Sequence, residues 1–363
     1  MTTMTITDEQ PRQLTRRRFR PRAVTSDALW ALLGSAAGAL GLTWLLYEAV
    51  FPFSGVLGFW LVAYLLFLAF YAAVTAMTVG GRQAVVDRLV MVLVSSAAVV
   101  VLVIIGNQIG YTIYRGWPAL QHIGTFVTQT MALAGPLDPL TVGGILHALV
   151  GSLEQMGIAT VISVPLGVLA ALFLAEIGGP VARIVRAVVE AMTALPEIIA
   201  GLFIFAAVVL TFGFRQSGFA AALALSVMMI PFVTRSAEVM LRLVPGTLRE
   251  ASLALGASQW RTAWVVVLPT ARSGLTTAVV LGMARAIGET APVLITAGFS
   301  QFLNANPFQG PQTSLPLYIY SYERLPQATE IARAFGAGLM LMFLVLILFT
   351  LARVLGGKEP NAK

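Results

Sequence analysis

The chain has 363 residues, 58% of them hydrophobic and only 11% charged, with a mean hydropathy of +0.86. Soluble domains carry about a quarter charged residues, so a soluble globular fold is excluded, and the net charge of +7 reports membrane orientation rather than a nucleic-acid partner. With no cysteine there are no disulfides or thiolate sites, and two histidines, His122 and His147, are too few for a histidine-based metal centre.

Apolar runs of about 20 residues, each enough to cross the hydrocarbon core, recur without the alternation of barrel strands. The predicted fold is therefore an all-α integral membrane protein with about eight transmembrane helices. They are placed at 28–50, 56–78, 89–109, 145–175, 188–212, 218–241, 274–297 and 335–354. Segment 145–175 is too long for one straight crossing and is expected to tilt or to extend past the membrane. The stretches 110–144 and 298–333, rich in Gly, Pro and Asn, are expected to form irregular or short helical surface on the outer face. Both histidines read as loop or helix-end residues.

Seventeen of the 23 Lys and Arg fall on one side if the amino terminus is cytoplasmic, and four (Arg115, Arg215, Arg324 and Arg333) fall outside. That asymmetry satisfies the positive-inside rule and places loop 242–273 and both termini in the cytoplasm. Residues 1–27 form a basic tail that touches anionic lipid. Its Arg16-Arg17-Arg18 run superficially looks like a twin-arginine export signal, but no small-residue cleavage site follows. Trp30, Trp44, Tyr47, Trp60 and Tyr64 cluster near the ends of the first two spans, as interface anchors do. The predicted organisation is a tail (1–27), two additional amino-terminal helices (28–84), a main membrane domain (85–357) that carries the loop 242–273, and a short cytoplasmic tail (358–363).

Charged groups at membrane depth are costly and mark function by default. Arg235 and Glu238 are three apart on the sixth span, and Arg285 and Glu289 are four apart on the seventh, so each pair shares a helix face. Glu197 follows Pro196 in the fifth span, and Glu154 lies in the fourth. A guanidinium stays charged and offers a planar fork of donors to an oxyanion. Paired arginines would keep an empty pathway near neutral, and an arriving anion would share or displace the carboxylates. The spacing equally allows both pairs to be buried glue between helices.

Residues 250–269 form a polar, helix-forming island between apolar segments. Thr247 and Glu250 have capping-box spacing, which predicts a helix start there. Leu253, Ala254, Trp260 and Trp264 supply an apolar face, Gly256 permits a sharp bend, and Pro269 ends the element. The alternative is an amphipathic helix lying on lipid. Glu250-Ala251-Ser252, three residues, Gly256, nine residues, Val266, one residue and Leu268-Pro269 together resemble the EAA loop of bacterial ABC-importer permeases. In that family the loop is a coupling helix gripped by a cytoplasmic ATPase.

Further strings accumulate. Gly143-Gly144-Ile145 and Gly151-Ser152-Leu153 open the fourth span, and Pro165-Leu166-Gly167 with Leu174-Ala175-Glu176 closes it. Met192 to Gly201 reads Met-Thr-Ala-Leu-Pro-Glu-Ile-Ile-Ala-Gly, and Pro231 to Glu238 reads Pro-Phe-Val-Thr-Arg-Ser-Ala-Glu. Gly282 to Pro292 reads Gly-Met-Ala-Arg-Ala-Ile-Gly-Glu-Thr-Ala-Pro, and an outer loop carries Ser314-Leu315-Pro316-Leu317-Tyr318. Over residues 85–357 these resemble the PstA family, permease subunits of the high-affinity phosphate ABC importer.

The resemblance implies a six-helix type I permease core and a heterodimer with a PstC-like permease. It also implies a PstB-like ATPase dimer that binds ATP and Mg, and a PstS-like phosphate-binding protein. It carries a substrate pathway onto Arg235, Glu238, Arg285 and Glu289, and ATPase coupling onto Glu250, Ala251, Gly256, Leu268 and Pro269. Two features depart from the family pattern: Glu197 stands where Ser is usual, and the first two spans lie outside the six-helix core. No Walker A string occurs, and no nucleophile–base pair or metal cluster is evident. The chain is thus expected to be a transporter subunit and not an enzyme, with no cofactor of its own. A permease for sulfate or molybdate would use the same chemistry. A secondary transporter would leave the loop unexplained.

Overall fold

The computed structural model describes residues 26–50, 55–78 and 80–355; the six arginines of the basic tail and the carboxy-terminal tail lie outside the described residues. The described chain is helical throughout its regular elements. Among the described residues, six helices are long and apolar enough to cross a membrane, or up to eight if each of two bent pairs counts as one span. The chain divides into two compact units, one up to Gly106 and one from Asn107.

The first unit holds α1 (Ser26–Leu45), α2 (Val56–Thr78) and the first part of α3 (Arg82–Leu120). α1 packs on α2 and the two bury mainly small residues, Ser35, Ala39 and Thr43 on one and Ala63 and Thr75 on the other, together with Tyr71. Small side chains let helix backbones approach where lipid gives no hydrophobic drive. The Tyr64 hydroxyl and Ser96 Oγ, 2.6 Å apart, tie α2 to α3. Trp30, Trp44 and Trp60 stay exposed, as lipid-interface anchors should. α3 runs on to Leu120, so the part of 110–144 expected to be irregular is helical at its start.

In the second unit, α4 (Ile123–Thr128) is followed by α5 (Leu146–Leu172), which runs into a π turn, Phe173–Ile177. His122 precedes α4, and His147 lies in the first turn of α5, buried against Tyr318. The predicted straight span 188–212 is instead two helices, α6 (Gly179–Ala194) and α7 (Glu197–Ile204, continued by a π stretch to Thr211), bent by 105°. The break falls at Leu195-Pro196 because the residue before proline is driven out of the helical region; Leu195 has ψ 128°. α8 (Gly218–Arg242) packs along α5, where Ala159 of α5 shares a core with Ala221, Ala222 and Leu225 of α8.

The chain then forms α9 (Gly246–Ala254), α10 (Gln259–Thr262), a π turn to Val267 and α11 (Leu268–Thr270). α12 (Arg272–Ala286) leaves this group at a 76° bend. The predicted span 274–297 also stops early, at Ala286. A turn over 287–290 separates it from the short α13 (Ala291–Thr296). α14 (Leu315–Glu323) and α15 (Ala328–Leu355) complete the unit. Around α14, a core of Phe126, Met131, Ile145, Leu315, Tyr318 and Tyr322 closes one end. Fully buried Arg333 pins loop 129–144 over it, donating from Nη2 to the carbonyls of Asp138, Pro139 and Val142 at 2.9 to 3.1 Å.

Candidate functional site

The charges singled out in the sequence gather on α8 and its neighbours; of the two pairs that spacing suggested, Arg285–Glu289 forms and Arg235–Glu238 does not. Arg235 and Glu238 do not pair. The Glu238 carboxylate, 9% exposed, accepts from Arg186 Nη2 at 2.7 Å and Arg242 Nη2 at 2.8 Å, with weaker donations from Arg186 Nη1 and Arg242 Nε. Arg242 lies four residues beyond Glu238, the favourable order for an acid–base pair on a helix. Arg186 comes from α6, which packs against α8. Two forked donors thus hold the carboxylate, and half-exposed Arg235 has Glu190 of α6 as its ion-pair partner among the described residues, at 3.9 Å.

Arg285 sits in the last turn of α12. Its predicted partner Glu289 is there, but distant at 3.9 Å, and a third group intervenes: Arg285 Nη2 lies 3.3 Å from Glu197 Oε1. Glu197 reaches the cluster because the Pro196 break starts α7 at that residue. The departure from the family pattern therefore adds a carboxylate to the centre of the charged group. The Arg285 guanidinium also lies 5.6 Å from the Phe232 ring, a cation–π distance. Phe232 and Arg235 are three residues apart on α8, so the ring that Arg285 approaches lies about one helical turn from Arg235. The α13 backbone closes on α7 here: a Cβ on Gly201 would lie 2.6 Å from Pro292 Cα.

Arg186 and Glu190 were missed by sequence reasoning. The available signal was the amphipathic pattern of α6, which repeats Arg183, Arg186 and Glu190 at helical spacing. Glu154 lies elsewhere, accepting from Gln312 Nε2, and does not join the cluster.

The expected coupling segment is a helix–turn–helix with corrected ends. The capping box of Thr247 and Glu250 does not form; α9 starts at Gly246 behind Pro245, whose φ of −56° already suits a helix entry. Gly256 has φ +84° with nothing near its missing Cβ, so a left-handed backbone, not crowding, calls for glycine there. Ser258 caps α10 by accepting from Arg261 N, and Ser252 and Thr262 hydroxyls meet at 2.9 Å. Pro269 does not end the element. It sits in the first turn of α11, where no amide donor is needed, and the chain turns two residues later at Ala271. Glu250, Ala251, Leu253, Ala254, Gly256, Trp260, Trp264 and Pro269 are all exposed, while Leu268 is half-buried. Among the described residues nothing covers the apolar face of the segment.

Residues 163–358 match the family described as binding-protein-dependent transport system inner membrane component. The chain is 44% identical over 234 residues to phosphate transport system permease protein PstA 1 of Mycobacterium tuberculosis (strain CDC 1551 / Oshkosh), covering 64% of this chain and 76% of that one. It is 41% identical over 242 residues to PstA of Haemophilus influenzae, covering 66% and 83%. Among solved structures it is similar to an inward-facing MetNI methionine ABC transporter, with TM-score 0.46, 22% identity and coverage of 59% and 94%. The chain belongs to the family of binding-protein-dependent transport system inner membrane components and has PstA permeases among its relatives.

Proposed function

We propose that the chain is a membrane permease subunit of an ATP-driven importer of inorganic phosphate, forming part of the pathway and coupling to a separate ATPase through residues 246–270. What carries the reading is that Arg235 and Arg285, the latter against Phe232 one turn of α8 from Arg235, are each half-exposed and have ion pairs of 3.3 to 3.9 Å among the described residues. Loosely held guanidinia retain donors for an oxyanion, and neighbouring carboxylates limit how tightly it is kept. The PstA relatives favour phosphate as that oxyanion. Arg235, Glu238, Arg285 and Glu289 are the pathway residues in this reading, extended here by Glu197, Arg186 and Glu190.

The exposed face of Glu250, Ala251 and Leu253 fits a partner's cleft, with Gly256 setting the turn and Leu268-Pro269 the return to the membrane. The partners are a PstC-like permease, a PstB-like ATPase dimer that binds ATP and Mg, and a PstS-like binding protein, in a bacterial plasma membrane with both termini cytoplasmic. Vesicles of cells lacking other phosphate uptake would test this, with the chain expressed with and without the ATPase. Phosphate uptake that needs the ATPase and resists excess sulfate supports the reading. Uptake of sulfate in its place would favour the other oxyanion, and ATPase-independent uptake a secondary transporter.

A further inference from the structure

The motif Leu174-Ala175-Glu176 and the residue just before Glu250 meet in a contact that the pathway does not use. Arg249 lies on α9 next to exposed Glu250, yet its own side chain turns toward the core and is 23% exposed. Its Nε and Nη2 donate to both oxygens of Glu176, at 2.9 and 2.8 Å. Its Nη1 donates to the Val244 carbonyl at 2.6 Å and its Nη2 to the Leu241 carbonyl at 2.7 Å. Glu176 is 8% exposed and lies in the π turn that ends α5. Leu241 lies in the last turn of α8 and Val244 in the link just beyond it, where carbonyls lack donors four residues on.

One planar guanidinium therefore joins the ends of α5, α8 and α9. Apolar packing by Leu172, Ala237, Leu241, Val244 and Val267 holds the ends of α5 and α8 against the π turn 263–267 and takes no residue of α9. An exposed ion pair would hold weakly. This one is forked, mostly buried and also caps a helix, which a lysine with a single compact ammonium cannot reproduce. On its other side α9 presents Glu250, Leu253 and Leu255 outward. From Leu241, Arg235 is six residues up α8, about 9 Å.

We propose that Arg249, with Glu176 as its counterpart, is the positioning residue that transmits displacement of the coupling helix to α5 and α8. This rests on the coupling reading given above. A push on the outward face of α9 moves the guanidinium, and the guanidinium moves the end of the helix that carries Arg235 and Glu238. Without it, α9 is tied to α8 mainly through the short link 243–245 and yields to the push.

The test uses the whole importer reconstituted in vesicles, with ATP hydrolysis and phosphate uptake measured in the same preparation. Arg249→Gln is expected to keep basal hydrolysis within about twofold, to lose its stimulation by phosphate-loaded binding protein, and to take up about tenfold less phosphate per ATP, the scale of losing charge-assisted hydrogen bonds. Arg249→Lys should behave similarly, and the exchange Arg249→Glu with Glu176→Arg should restore part of the ratio. The near-isosteric Glu176→Gln provides a second readout if Arg249 variants fail to assemble, and should lower the ratio as well. An unchanged ratio in Arg249→Gln or Glu176→Gln would overturn the proposal. So would loss of the ATPase from the purified Glu176→Gln complex, the mark of a mere assembly staple. Wild-type vesicles that take up no phosphate would count against the substrate reading alone, because stimulation of hydrolysis by the binding protein reads the coupling without transport.

Discussion

Arg186→Gln would leave the Glu238 carboxylate with one guanidinium in place of two. A largely buried carboxylate with less pairing seeks another cation, and Arg235 is one turn away on the same helix. We expect uptake to fall about tenfold as Arg235 is drawn into a tight pair, a scale set by one charge-assisted hydrogen bond, and the second change Glu238→Gln to restore most of it. If the double variant is no better than Arg186→Gln alone, Arg186 contacts the anion itself. Arg235, Glu238, Arg285 and Glu289, with the Arg285–Glu289 pair, were legible in the sequence, but Arg186, Glu190 and the partners of Glu238 and Arg235 were not. Spacing along one helix names neighbours on that helix only, and the groups that decided the pairing, Arg186 and Glu197, come from α6 and α7.

Elements were legible where apolar runs were long and uninterrupted, as in α1, α2, α5 and α8. They were misread where one short string sets the backbone. Leu195-Pro196 turns a predicted span into a 105° bend, and that bend delivers Glu197 to Arg285. Pro245 replaces the expected capping box, and Pro269 continues a helix it was expected to stop. Two substitutions test elements directly. Gly256→Ala places a side chain in the left-handed region, at a cost of about 1 kcal/mol. It should weaken retention of the ATPase in pull-down while the thermal unfolding of the membrane part stays unchanged. Gly201→Ala drives a Cβ into Pro292 of α13 and should cost about 1–3 kcal/mol by overpacking, read as a lower unfolding temperature in detergent.

At the scale of the whole molecule, residues 107–355 hold a packed permease unit whose one end is sealed by the core around α14. There the Arg333 guanidinium, 0% exposed, serves three carbonyls and lies 3.2 Å from Glu330 Oε1. Burial in the same core pushes the Tyr322 phenol up to about 12, so the cluster stays uncharged at that residue across the physiological range. Arg333→Ala would leave buried Glu330 unpaired and loop 129–144 unpinned. We expect a loss of about 3–5 kcal/mol, seen as a lower unfolding temperature and faster proteolysis within 129–144. In the sequence Arg333 was simply one of four outside cations, because charge counting registers orientation and not burial.

Passage of an oxyanion by Arg285 and Arg235, driven from the exposed coupling segment, is the central claim. Its most direct measurement is ATP-dependent uptake of radiolabelled phosphate by the reconstituted importer carrying Arg285→Lys, with complex assembly and basal ATP hydrolysis measured alongside. The account predicts an assembled complex that hydrolyses ATP and takes up no phosphate, since a lysine keeps the charge but not the planar fork. Uptake at the wild-type rate would contradict it.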